Sequence, residues 1–531
     1  MSDIEPIDGN AMNQGAAPRR RRGRRAAQDG GSGGSRAAAN KRAHTYRKIA
    51  RPYSPLEVLS ADQVATIHET ALRVLEELGV KVLLPEAREI FAAAGAKVGG
   101  DQIVHIDRGL IAQALAHAPS TFTLHGGADH RHQSIGGNSF TTVPIGGPPH
   151  ISDLDQGKRP GTMADTTNII RLSQHFDVLH TMSPNVEPQD TPMETRHLLV
   201  SEAQLTNSDK PVFVYSRGAP QVRDCFEMVR IARGLDADAF RAAPYCYTVI
   251  NTNSPRQLDI PMCQGMIDFA RAGQPSIITP FTLSGAMAPV TIAGALTLQH
   301  AEALAGITLV QLTNPGAPVV YGSFTSNVDM KSGAPAFGTP EFIKGSFAAG
   351  QLARHIDLPW RSSNANASNA PDAQATYEAL NSVWAAMMGG ANMLFHAAGW
   401  LEGGLTASME KFIIDVEMLQ IMAEANQPLE VDADAIGFDA IAEVETGGHF
   451  FAAQHTMARY QDAFYAPMLS DWSNFGRWTE TGAKTATERA NAIWKQTLAD
   501  FEPPKMDDGR RDALADFVAR RTNEGGAPPE S

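Results

Sequence analysis

The stretch that most restricts the fold is Pro275–Thr325, PSIITPFTLSGAMAPVTIAGALTLQHAEALAGITLVQLTNPGAPVVYGSFT. It reads as a short apolar strand (Ser276–Thr279), a Gly/Pro-punctuated loop, a long helix rich in Ala and Leu, and a second apolar strand (Pro318–Tyr321). That is one βαβ unit. Neither strand alternates apolar with polar residues, so both are expected to be buried on two faces, as in a parallel sheet covered by helices. The loops after the strands, TPFTLSG and GSFTSNVD, carry the aromatic and hydroxyl side chains that a site needs.

The unit repeats. Candidate strands are Phe140–Val143, Val178–Thr181, Val212–Tyr215, Tyr245–Ile250, Ser276–Thr279, Val319–Tyr321, Leu358–Arg361 and Met393–His396. Helices are predicted at Ala164–His175, Pro192–Thr206, Val222–Gly234, Asp259–Ala272, Thr291–Thr313, Pro340–Ile356, Asp372–Met388 and Ser408–Ala425. This alternation predicts an α/β fold of the (β/α)8 TIM barrel type. A doubly wound open sheet is the alternative, but no GxGxxG follows an early strand to support its dinucleotide use.

Upstream, LSADQVATIHETALRVLEELGV has Ser60 as a helix N-cap and Gly79 as a stop. Two further predicted helices, Pro85–Ala94 and Asp107–Ala118, and a strand at Thr121–Leu124 complete an N-terminal helical cap. The expected organisation is a disordered basic tail (1–51), the cap (52–130), the barrel (131–430), a C-terminal helical extension packed on the barrel (431–505) and a flexible tail (506–531).

Composition narrows the function classes. Of 531 residues, 43% are hydrophobic and 19% charged, enough to bury a large core. No apolar run approaches the ~18 residues of a membrane span, and no secretory signal opens the chain. Cys225, Cys246 and Cys263 have no CxxC spacing, which argues against a disulfide scaffold and a thiolate zinc site. A cytoplasmic protein is expected. The net charge of -13 argues against nucleic-acid binding by the folded part. The tail is different: RRRRGRR (Arg19–Arg25) lies among Gly- and Ala-rich segments and is read as a solvated extension, with contact to nucleic acid, anionic lipid or an acidic protein as the alternative.

In a barrel, chemistry belongs at the C-terminal strand ends. Those ends carry Tyr247, Asn251 and Asn253; Thr279 and Phe281; Tyr321, Ser323 and Phe324; Arg361, Asn364 and Asn366; and Phe395, His396, Trp400 and Glu402. Aromatics and amides outnumber acids and bases. HExxH, metal-ligand spacing, a Walker loop and GxSxG are all missing, so metal-free, phosphate-free chemistry is expected. Ring faces suit a quaternary ammonium, which donates no hydrogen bonds and is held by ring quadrupoles. The competing reading makes Phe281, Tyr321, Phe324 and Phe395 ordinary packing, His396 a satisfied structural histidine, and Glu402 half of an ion pair rather than a counter-charge. His449 and His455 are read as structural caps.

The motifs HETALRVLEELGV, SGAMAPVTIAGALTLQHAEALAGITLVQLTNPGAPVVYGSF, LARHIDLPW, PDAQATYEAL, GANMLFHAAGWLEGGLTASMEKFIIDVEM and GGHFFAAQHT occur in order between Tyr53 and Phe501. Together they resemble the trimethylamine methyltransferase (MttB) superfamily of corrinoid-dependent enzymes. The resemblance implies a TIM barrel that moves a methyl group from a methylated amine to the Co(I) of a cobalamin-carrying partner protein. Family members that use trimethylamine carry pyrrolysine just ahead of a PDAQ motif. Here that stretch is SSNANASNAPDAQ, and the equivalent position falls at or beside Ala365.

The departure points to the non-pyrrolysine branch, which resembles glycine betaine corrinoid methyltransferases. A substrate that is already quaternary leaves as a neutral tertiary amine without proton transfer, which removes the need for a general acid. The expected substrate is a betaine, its ammonium in an aromatic cage and its carboxylate met by Arg361, His396, Asn364 or Asn366, or by backbone N–H groups of GWLEGG. Expected partners are the small quaternary amine, the cognate corrinoid protein and further copies of the chain. Neither a bound metal nor S-adenosylmethionine is expected. Two alternatives stay open: a methyltransferase of the same fold using another methylated amine such as trimethylamine, and a non-catalytic quaternary-amine binding protein.

Overall fold

The computed structural model describes residues 46–530. The predicted tail therefore falls mostly outside the described residues. Its last part is a correction: Tyr46–Arg51 belongs to the fold. Strand β1 (Ile49–Ala50) pairs antiparallel with β2 (Ser139–Thr142), and buried Arg51 donates to the carbonyls of Ala391, Gly137 and Ser139. An arginine followed by Pro-Tyr-Ser looks like tail by composition; only the carbonyls it caps reveal its place.

The central sheet adds β3 (Val212–Phe213), β4 (Cys246–Ile250), β5 (Ser276–Ile278), β6 (Val319–Gly322), β7 (Trp360–Ser363) and β8 (Met393–Phe395). Its order is β1-β2-β8-β7-β6-β5-β4-β3, and every pairing after β1–β2 is parallel. The fold is mixed α/β with a curled eight-stranded sheet. Seven of the eight predicted strands are present.

The predicted strand at Val178–Thr181 is not formed. The segment is extended between β2 and β3, where the His180 N–H donates to Thr142 O (3.0 Å) and the Met182 N–H to Pro211 O (2.8 Å). The ladder fails because a side chain intrudes: the Thr142 N–H donates to His180 Nδ1 (2.8 Å) instead of to a backbone carbonyl.

Three helices precede the sheet, α1 (Ala61–Arg73), α2 (Pro85–Ala93) and α3 (Arg108–His117). Ser60 closes a capping box with Gln63 at the start of α1, as its position predicts. Gly79 adopts φ +69°, and a Cβ there would meet Ile103 Cγ2 at 2.6 Å. The predicted cap is not purely helical, because Val80–Val82, Lys97–Val98 and Ile103–His105 form a small sheet with Gln257–Leu258. Val80–Val82 pairs with Ile103–His105 on one side and with Gln257–Leu258, from a distant loop, on the other.

The crossover helices are α4 (Met163–His175), α5 (Met193–Asn207), α6 (Ala219–Arg233), α7 (Ile260–Arg271), α8 (Ile292–Thr313), α9 (Pro340–His355), α10 (Ala373–Gly389) and α11 (Met409–Ala425). Helix α8 is apolar on all sides and almost entirely buried, since α1, α2 and α3 cover the face turned away from the sheet. A second core fills the inside of the sheet, where Phe213, Tyr247, Ile277, Val320, Met393 and Phe395 meet.

Two C-terminal helices follow, α12 (Ala486–Ala499), packed on α11, and α13 (Asp508–Asn523), packed on α5 and α6. The second corrects the predicted flexible end. Leu514 and Val518 are buried, and Arg521 forms two hydrogen bonds to the Asp224 carboxylate (2.8 and 3.0 Å). Two apolar residues one helical turn apart are a weak signal in a charged segment, so burial is decided by the receiving surface.

Candidate active site

Past the C-terminal ends of β5 and β6 the chain continues as two parallel extensions, Phe281–Ser284 and Phe324–Val328, with Phe281 directly opposite Phe324. The register brings their rings to 5.1 Å. After β8, Trp400–Leu401 pairs with Thr406–Ala407, and the Trp400 indole N–H donates to Asn366 O (3.1 Å), which aims the ring back over the sheet. The Trp400 and His396 rings are 3.9 Å apart, and Phe324 lies 6.3 Å from Trp400.

These groups line a cavity of about 550 Å³ at the C-terminal strand ends. Of the predicted site residues, Phe281, Phe324, Arg361, Phe395, His396 and Trp400 face it, as do Thr279, Asn251 and Asn253. Tyr215, at the end of a predicted strand but not singled out by its sequence, also faces it, under the Arg217 guanidinium (4.7 Å). An aromatic closing an apolar strand was the available signal.

Arg361 is the unusual member. It is buried, with its guanidinium carbon 4.6 Å from the Phe395 ring centre and 5.6 Å from that of Phe324. Its hydrogen bond is a 3.3 Å contact to Ser323 O, and Nε has no partner among the described residues. Burial holds its pKa down to about 9, so it remains charged at neutral pH. Among the described residues no carboxylate pairs with this cation, a costly arrangement unless an anion arrives.

His396 Nδ1 and Thr279 Oγ1 likewise lack partners among the described residues. Burial, helped by the charge of Arg361, pushes the His396 pKa well below the usual histidine range and keeps the ring neutral. The loop holding it is clamped from behind. Asp415 on α11 accepts from the Gly399 N–H (2.9 Å) and pairs with Lys411, both side chains being fully buried. Burial raises the Asp415 pKa despite Lys411.

Other predicted residues lie outside the cavity. Tyr321 faces away from it, its hydroxyl held by His300 Nδ1 (2.9 Å) and Gln299 Oε1 (3.2 Å) of α8. Its neighbour Val320 takes the inward position. Asn364 donates to Ala397 O (3.2 Å), whereas both polar side-chain atoms of buried Asn366 are without partners among the described residues. Ala365 is fully buried, its carbonyl accepting from Ser382 Oγ (2.8 Å). Glu402 is ion-paired with Lys158 and accepts from Thr406 Oγ1. His455 bonds Asp434 O (2.9 Å) near the end of a short helix, the capping role expected of it.

Among the described residues, no cluster of three or more His, Cys, Asp or Glu is placed to hold a metal, and no helix is long and apolar enough to cross a membrane. The model of the trimethylamine methyltransferase (MTTB) family matches residues 20–526, and the chain belongs to that family. It is a methyltransferase of the methylamine and betaine class. It is 36% identical over 471 residues to a glycine betaine methyltransferase of Desulfitobacterium hafniense strain Y51, covering 88% of this chain and 98% of that one. A trimethylamine methyltransferase MttB of D. hafniense strain DSM 10664 / DCB-2 is 30% identical over 470 residues, covering 88% and 94%. The crystal structure of Methanosarcina barkeri monomethylamine methyltransferase (MtmB) is matched with a TM-score of 0.49 at 10% identity, covering 84% of this chain and 88% of that one.

Proposed function

We propose that this enzyme takes a methyl group from a betaine, a quaternary amine carrying a carboxylate, and passes it to the Co(I) of a cognate corrinoid protein. The observation that carries the reading is Arg361, a buried cation in an aromatic cavity with no anionic partner among the described residues. The substrate carboxylate would complete that pair, with Thr279 Oγ1 or His396 Nδ1 as a further partner. The ammonium would sit among Phe281, Phe324 and Trp400, toward the mouth. The similarity to a glycine betaine methyltransferase supports the same substrate class.

The rim suits a large planar acceptor. Gly147 has nothing within 4 Å of where a Cβ would stand, and Gly146 and Asn251 also border the opening. The reduced corrinoid supplies the nucleophile. This chain supplies position: the cage presents one N-methyl carbon to the mouth, and His396 stays neutral, so it does not repel the ammonium. The C–N bond breaks with its electron pair remaining on nitrogen, and the amine leaves uncharged. No proton moves, and the mechanism requires neither a resident metal nor S-adenosylmethionine.

We also propose that Val178–Met182 closes the sheet into a complete (β/α)8 barrel; its backbone bonds to Thr142 of β2 and to Pro211, just before β3, support this. The cytoplasmic expectation stands as part of the same reading, supported by three free, buried cysteines. The test is calorimetric binding and methyl transfer to reduced cobalamin with paired ligands. Glycine betaine, carnitine and proline betaine carry the carboxylate; tetramethylammonium, choline and trimethylamine do not. At least one betaine should bind and turn over while its carboxylate-free counterparts bind roughly 100-fold more weakly. Equal binding of both sets would remove Arg361 from its role.

A further inference from the structure

Helix α8 carries a charge where its sequence otherwise has none. Of its 22 residues Glu302 is the lone Asp, Glu, Lys or Arg, and it is buried near the middle. Taking a carboxylate out of water is costly unless its oxygens are satisfied. Here they are, and by one loop. The Thr252 hydroxyl donates to Oε2 (2.5 Å), the Ser254 hydroxyl to the same oxygen (2.6 Å) and the Arg256 N–H to Oε1 (2.7 Å). Arg256 turns its guanidinium elsewhere, to the carbonyls of Leu78 and Gly79 (3.0 and 3.1 Å). Burial pushes the Glu302 pKa up, and the three donors oppose that rise.

The loop that Glu302 holds belongs to the site. It leaves β4 at Ile250, and its first residues, Asn251, Thr252 and Asn253, line the cavity. Thr252 is buried with its hydroxyl on Glu302, while Asn251 and Asn253 on either side of it are exposed. Further on, Gln257–Leu258 joins the N-terminal sheet by pairing with Lys81–Val82. Between those anchors Arg256 adopts φ +53°, a left-handed conformation that a residue with a Cβ keeps only where its surroundings impose it. Its N–H is the one bound by Glu302 Oε1. The carboxylate thus fixes the turn, and the turn fixes two amides at the opening.

We propose that Glu302 is a positioning residue for methyl transfer: without lining the cavity itself, it holds the Asn251–Arg256 lip in the shape that receives the corrinoid. This rests on the function proposed above. An Asn amide both donates and accepts, which is what the carboxamide arms around a corrin ring require of a rim. The groups given to the betaine belong to other parts of the chain, Arg361 to β7 and Phe281, Phe324 and Trp400 to the segments after β5, β6 and β8. Loosening the lip should therefore affect the acceptor and spare the betaine.

The experiment compares the wild-type chain with Glu302→Ala and Glu302→Gln in three measurements. These are deuterium uptake by residues 251–258, calorimetric binding of whichever of glycine betaine, carnitine and proline betaine the wild type binds, and methyl transfer to reduced cobalamin at varied concentration. In Glu302→Ala, uptake should quicken roughly ten-fold as the turn loses its hold. The KM for cobalamin should rise about ten-fold while kcat and the betaine Kd stay within about two-fold. Glu302→Gln should restore most of the protection, because its carbonyl can accept from the Arg256 N–H while its NH2 donates to the two hydroxyl oxygens. Should Glu302→Ala fail to fold, Thr252→Val/Ser254→Ala removes two of the three bonds from the loop side and should quicken uptake in the same segment. Unchanged uptake, quickened uptake with an unchanged KM for cobalamin, or a betaine Kd that worsens as much as that KM overturns the proposal alone. A wild type that transfers no methyl group from any betaine overturns the functional reading and the proposal with it.

Discussion

Two regions of the molecule are unfinished in opposite ways. Around the cavity, buried polar groups lack partners among the described residues: Arg361 Nε, Thr279 Oγ1 and His396 Nδ1 border a space walled by rings. Between α11 and α12, apolar groups lack cover: Phe451 and Phe464 stand in solvent on a segment with almost no buried side chains. The first deficit is met by something small, charged and exchangeable, and the second is one that water tolerates. A buried unpaired charge costs more than an exposed ring, so the mouth must be held by strong internal contacts while the aromatic segment need not be.

That contrast can be broken most directly at the clamp behind the mouth. Asp415→Ala removes the partner of fully buried Lys411 and the acceptor of the Gly399 N–H, and should cost about 3–5 kcal/mol in denaturant unfolding. Phe451→Ser should cost almost nothing in the same measurement. Comparable losses at both sites would erase the distinction.

Arg361→Met should weaken betaine binding by about 3 kcal/mol while leaving stability equal or higher, since an unpaired buried charge is exchanged for a side chain that packs on Phe395. Calorimetry paired with a melting curve decides it. A large stability loss would mean that the guanidinium serves the fold rather than a ligand.

Acid should act on the sheet side of the comparison. Burial lowers the His180 pKa to about 4, although the ring also bonds Tyr46 O. Above pH 6.5 the group is neutral in both states and its contribution is intact. As pH falls from 6.5 toward 4 the unfolded chain takes up a proton that the folded chain refuses, and about 3 kcal/mol is lost. Urea midpoints measured across that range should fall, and His180→Gln should flatten the slope.

The smallest contrast is within the predicted cage. Trp400→Leu should weaken betaine binding by about 1–2 kcal/mol, because its ring lines the cavity. Tyr321→Phe should leave binding unchanged and cost about 1 kcal/mol of stability, since it deprives His300 of a hydrogen bond. Reversed results would return Tyr321 to the site.

Much of this was legible in the chain. Apolar runs separated by amphipathic segments specify strand, helix and order, because burial on two faces and a 3.6-residue period leave marks in any sequence; all eight crossover helices lie within a few residues of their predicted limits. The aromatic loops after β5, β6 and β8 were equally visible, and six of the ten predicted binding residues meet in one cavity. What the sequence could not decide was direction. A strand buried on both sides carries no polar alternation to say which residues look inward, so Val320 and Tyr321 were indistinguishable until the sheet curled.

The same limit hid the intrusion of His180 into the ladder, the pairing of Glu402 with Lys158, and the packing of α13. In each case a side chain answers to a residue distant in sequence. Local composition determines which elements form and what chemistry they carry. Which groups are left facing empty space, Arg361 in the cavity and the aromatic segment between α11 and α12, is settled only when the elements close on one another.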